Sequence, residues 1–178
     1  DLGTFQDAVG SLFWLEITHK AWSRNKVQGL AQLNQSLNNY YAANRHLGLS
    51  SITPLTQSQI LAKSPGYPFL KAKAAQTRHL AQFCLVLAQR HRTGTADRAP
   101  FRFGAGHRLA AHTARHGDLL VQLFEGFLGF TTSCSASPFQ VIDCRVSMYK
   151  YLQALQGLNE LWRTGAPQAL ENKLPFHI

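Results

Sequence analysis

An all-α, single-domain bundle of five or six helices is predicted from three observations. Apolar residues recur with a period near 3.6 along most of the 178 residues. No segment alternates apolar and polar residues as a half-buried strand does. The breaks fall at Gly48, Ser64–Pro68, 93–106, 131–138 and Gly165–Pro167, and they leave long helical spans between them.

The first helix is expected over Thr4–Trp22, with Phe5, Val9, Leu12, Phe13 and Leu15 on its apolar side. Thr4 and Asp7 stand as a capping box with a shorter acid. Ser23 or Asn25 caps a second helix that continues to Leu47, where Gly48 supplies a C-cap. Val27, Leu30, Leu33, Leu37, Tyr40, Tyr41 and Leu47 share its broad apolar side.

A connector over 49–55 leads to a short helix from Thr56 to Lys63. Ser64-Pro65-Gly66-Tyr67-Pro68 then stops propagation, because two prolines remove donors and glycine disfavours helix. Residues 1–178 are read as one domain, and a subdomain break, if the chain has one, falls near 64–68.

A helix over Phe69–Arg92 carries Leu70, Ala74, Thr77, Ala81, Cys84 and Ala88 as a stripe of mostly small residues, widened by Leu80, Phe83 and Leu87. Small residues allow close approach of neighbours, so this helix is expected to be central. After the loop, a helix over His107–Gly129 turns Leu109, His116, Leu120, Leu123, Phe124 and Phe127 inward. Thr131–Pro138 reads as a Ser/Thr loop. The last long helix, Phe139–Arg163, lines up Val141, Cys144, Met148, Leu152, Leu155, Leu158 and Trp162.

Composition excludes several classes. Apolar residues make up 45% and charged residues 15%, too apolar and too weakly charged for a disordered chain. The most apolar run, Leu119–Phe130, is interrupted by Gln122 and Glu125 and is shorter than the roughly 20 residues of a membrane span. No secretory signal pattern opens the chain, which begins at Asp1 and is read as a processed protein or a piece of a longer one. The Asn34-Gln35-Ser36 sequon sits inside a helix and is read as chance. Cys84, Cys134 and Cys144 are odd in number and form no CxxC pair, so they are expected to be buried thiols in an intracellular, reducing compartment.

The charge is one-sided. The net charge is +9, and the span from Lys63 to His116 holds ten of the 18 basic residues but one acid, Asp97. The remainder of the chain is balanced, with eight basic and eight acidic residues. His79, His91, His107, His112 and His116 lie in the same span. An ordinary solvated face mixes signs, whereas this field attracts polyanions. Lys71, Arg78, Gln82 and Gln89 fall near one helical stripe, and Arg108, His112 and Arg115 on another; side by side they would form one basic surface.

Individual motifs are weaker. In Phe101-Arg102-Phe103-Gly104-Ala105-Gly106-His107-Arg108, glycines before a helix start leave N–H groups open to a phosphate flanked by Arg102 and Arg108, with Phe101 or Phe103 to stack on a base. The competing reading, a turn whose phenylalanines plug the core, is preferred, since the third glycine of a dinucleotide fingerprint and a P-loop lysine are lacking. His112 and His116, one turn apart, have metal-ligand spacing without the glutamate of HExxH, and zinc wants three or four ligands. The nine acids are dispersed, without DxD or ExxE, and no GxSxG occurs.

The chain is therefore read as a non-enzymatic module that binds nucleic-acid backbone, RNA or DNA, within a larger nucleoprotein assembly, without a cofactor. Lys71, Lys73, Arg78, Arg90, Arg92, Arg98, Arg102, Arg108 and Arg115 are the expected phosphate contacts. Two alternatives stand beside it: a structural subunit that docks on an acidic protein, and a metal- or haem-binding helical enzyme using His112 and His116.

Overall fold

The computed structural model describes residues 2–18, 25–52, 54–60, 68–93, 108–138 and 140–165. Among these the fold is all-α, as expected, with seven helices: α1 Leu2–Thr18, α2 Lys26–Ala43, α3 Gln57–Ile60, α4 Ala74–His79, α5 Ala81–Thr93, α6 Arg108–Ser135 and α7 Val141–Gly165.

The hydrophobic centre is α1. Every residue from Ala8 to Ile17 is buried, including Ser11 and Glu16. A helix buried on all sides lies inside a bundle, so α1, more than the expected small-residue helix, is the element around which the others pack. Phe5 stacks on Phe127 and meets Phe124 and Tyr151, which ties α1 to α6 and α7. Phe13 meets Phe83 of α5 edge to face at 6.1 Å. Each fully buried aromatic of this kind contributes on the order of 2–3 kcal/mol.

α2 begins where expected. The Asn25 side chain accepts the Val27 N–H at 2.9 Å, and Gly48, in the left-handed region at φ 59°, closes the short 3-10 turn Arg45–Leu47 that follows. Leu33 and Leu37 are buried, but Val27 and Leu47, expected on the apolar side, are 75% and 56% exposed.

The helix expected over 69–92 is broken. Residues 68–73 run extended because their backbone groups bond to distant partners. Leu70 N–H donates to the Gln6 carbonyl at 3.1 Å, and Lys71 N–H to the Gln59 carbonyl at 2.7 Å. The Gln6 side chain in turn donates to the Ala72 carbonyl at 2.7 Å. This strap crosses α1 at Gly10, where a Cβ would lie 2.5 Å from Leu70 N. α4 and α5 follow, separated at Leu80, whose N–H reaches back three residues to Thr77 at 3.1 Å.

α6 runs through Ser135, past its expected end. The Ser/Thr-rich residues remain helical because α7 packs on them: Ser133 is buried and Thr131 Oγ1 donates to the Leu128 carbonyl at 3.0 Å. α6 runs antiparallel to both neighbours. Gly117 abuts the Arg92 backbone of α5, Gly126 abuts Tyr151 of α7, and Gly157 of α7 abuts Leu119. The buried seam of α7 is Tyr151, Ala154, Leu155, Leu158 and Trp162, whereas Val141 and Leu152, expected inward, are 46% and 49% exposed. No helix among the described residues is long and apolar enough to cross a membrane. Of the residues read as a subdomain break, 64–67 lie outside the described residues.

Candidate polyanion-binding surface

The fold places the expected cations at two ends of α5. Lys71 and Lys73 sit on the strap, fixed by the Gln59 carbonyl and by Gln76, whose Oε1 accepts the Lys73 N–H at 2.9 Å. Arg78 follows on the last turn of α4. Arg90 and Arg92 stand on the last turn of α5, where the helix dipole favours positive charge. Arg115 joins them from α6, because Gly117 brings that helix against the Arg92 backbone. All six side chains are exposed.

Arg78 is near the end of α4 and Arg92 near the end of α5, on either side of the break at Leu80. Between them Gln82 and Gln89 are exposed, as expected, together with Val86. Of the stripe expected on the later helix, Arg115 is described and exposed; beyond it, the exposed residues of α6 include Asp118 and Glu125. Arg98 and Arg102 lie outside the described residues, as do all of residues 94–107, and the readings of the Arg108 and His112 side chains also fall outside what is described.

Three of the five histidines do not add to this field. His79 Nδ1 accepts the Ser50 N–H at 2.8 Å, so its proton rides on Nε2. Burial and the neighbouring Arg78 charge hold its pKa below 6.5. His91 is buried and its Nε2 lies 2.6 Å from Glu16 Oε1. His116 is wholly buried, and its Nε2 accepts the Trp162 indole N–H at 3.1 Å. An indole can only donate, so that nitrogen's lone pair is spent inside the core. Among the described residues no group of three or more His, Cys, Asp or Glu side chains could hold a metal.

Of the three cysteines expected to be buried, Cys84 is and Cys134 and Cys144 are not. Cys84 is buried, and burial followed by the nearby Glu16 charge pushes its thiol well up. Cys134 is exposed and Cys144 half-buried, with their sulfurs 3.0 Å apart across the α6–α7 turn. The hydrogen bond to Cys134, then burial, raises the Cys144 thiol. Cys134 also borders a cleft of about 460 Å³ between α4 and α6, with Phe127 and Phe130 in its lining and Arg78 at its edge.

Sequence reasoning also missed the outer face of α7. Two of its exposed apolar residues, Val141 and Leu152, were assigned to the core. No family model, curated protein or solved structure matches the chain.

Proposed function

We propose that this chain is a non-enzymatic helical module that binds the phosphate backbone of nucleic acid, RNA or DNA, as a subunit of a larger nucleoprotein assembly. One observation carries the reading. Lys71, Lys73, Arg78, Arg92 and Arg115 are exposed around α4 and α5 and make no ion pair among the described residues. They come from a span whose single acid is Asp97. Cationic groups on either side of the α4–α5 break suit well-separated phosphates of one strand, and backbone contacts of this kind give affinity without base specificity. The proposal places the chain in an intracellular, reducing compartment, with Cys134 and Cys144 as thiols.

Fluorescence anisotropy with labelled RNA and DNA oligonucleotides tests it. Five phosphate contacts predict binding that weakens roughly 100- to 1,000-fold between 50 and 200 mM salt. Arg78→Ala and Arg92→Ala each flatten the salt slope by about one. No binding, or binding indifferent to salt, overturns the reading. Capture of an acidic protein that survives nuclease treatment replaces it with the docking-subunit alternative.

A further inference from the structure

Eight large apolar side chains are exposed among the described residues, and five of them are on α7: Val141, Ile142, Val146, Tyr149 and Leu152. Val27, Leu47 and Val86 stand apart on other elements, as single exposed apolar residues normally do. Ile142 is 77% exposed, Tyr149 63% and Val146 51%. Their spacing of i, i+4 and i+7 puts them on one stripe. The inner face of α7 is already committed, through Tyr151, Leu155, Leu158 and Trp162. The stripe is therefore an apolar surface on the side facing away from α6. Further along the same side the outward residues are Gln153, Gln156 and Glu160, which form a polar margin.

We propose that this face of α7 pairs antiparallel with the same face of a second copy of the chain, about a two-fold axis beside Val146. The charges argue for this occupant. A two-fold axis perpendicular to two antiparallel helices keeps each flank on its own side, so residues of one flank meet residues of the same flank in the other copy. Asp143 and Lys150 are exposed, seven residues apart, on one flank of the stripe. An axis beside Val146 sets Asp143 opposite the second copy's Lys150, and Lys150 opposite its Asp143. The same axis sets Ile142 beside the second copy's Tyr149 and Val146 beside its Val146. On the other flank it sets Val141 against the second copy's Leu152. One axis position thus satisfies all five apolar residues and both members of the charge pair.

Arg145 is the exception, since it lies between Val141 and Leu152 and comes close to its own counterpart. Two arginines near the axis oppose association, so the arrangement makes a definite prediction at this position. About three helical turns from each copy form a contact at the small end of specific interfaces, below about 1,200 Å², and a dissociation constant in roughly the micromolar range is expected.

Sedimentation equilibrium of the whole chain, in reductant so that exposed Cys134 cannot crosslink, is the test. The expected result is a concentration-dependent shift from 19.8 kDa toward twice that mass. Val146→Glu buries two like charges at the axis and abolishes the shift, with an unchanged helical circular dichroism spectrum because the site is exposed. Asp143→Lys weakens association about tenfold through two repulsive contacts, and Asp143→Lys with Lys150→Asp restores it. Arg145→Ala tightens it. A monomer at every concentration overturns the proposal, as does a dimer indifferent to Val146→Glu or a charge exchange that fails to restore pairing.

Discussion

Glu16 and His91 are 75 positions apart in sequence and meet at 2.6 Å inside the bundle, with both side chains almost entirely buried. The contact joins the central helix α1 to the last turn of α5, the turn that presents Arg90 and Arg92. Core stability and the position of the surface cations are therefore linked through one hydrogen bond.

Removing that ring tests the link. His91→Ala leaves the Glu16 carboxyl in the interior without the imidazole it bonds, at a cost of about 3 kcal/mol. His91→Gln retains a donor and is expected to cost about 1 kcal/mol. Urea unfolding followed by circular dichroism measures both. Equal midpoints for the wild type and His91→Ala would show that the contact does not support the fold.

Gly10→Ala puts two effects of opposite sign in competition. Alanine favours a helix interior by about 1 kcal/mol over glycine. A Cβ at this position would lie 2.5 Å from Leu70 N and from the Phe69 carbonyl carbon, both backbone atoms. Overpacking against backbone costs about 1–3 kcal/mol, so net destabilisation is expected. Faster amide exchange at Leu70 and Lys71, as the strap loses its bonds to Gln6 and Gln59, is the accompanying sign.

His79 makes stability fall on the acid side. Burial and the Arg78 charge hold its folded pKa below 6.5, so the unfolded chain takes up the proton first as pH drops. The contribution is complete above about pH 6.5 and is lost as pH falls through the folded value. NMR titration of the His79 ring, with urea midpoints at pH 7.5 and 5.5, reads this directly. His79→Asn reduces the acid-side slope.

Cys134 and Cys144 are expected to couple under mild oxidation. Their two thiols give up two protons and two electrons to glutathione disulfide, which is reduced to two glutathione molecules while an S–S bond forms. Thiol counting should fall from three to one, with Cys84 remaining because it is buried. Cys134→Ser should block the loss of Cys144. Retention of all three thiols after prolonged exposure would count against the pairing.

The helices were legible because the apolar period recurs wherever one face is dry, and Asn25 and Gly48 were legible because caps act through their own neighbours. The primacy of α1 was not. Gly10 and Glu16 lie outside the apolar side read from the sequence, and the strap over Gly10 and His91 against Glu16 are both distant in sequence. The break at 68–73 has the same origin in bonds to Gln6 and Gln59. At the candidate surface, exposure of Gln82 and Gln89 followed from helical spacing, whereas Lys71, expected on the same stripe, is exposed on the extended strap instead. The withdrawal of His79, His91 and His116 did not follow from spacing, since Ser50, Glu16 and Trp162 come from other elements. Val141 and Leu152 were misplaced because the true seam of α7 is rotated toward Tyr151 and Ala154.

α6 carries notches on both sides: Gly117 receives the backbone of α5 and Gly126 that of α7. A rod keyed on two sides cannot slide or roll without steric collision, so its neighbours are indexed like teeth on a rack. The end of α5 that carries Arg92 is accordingly held in register with Arg115 of α6, and a ligand strand must conform to that spacing.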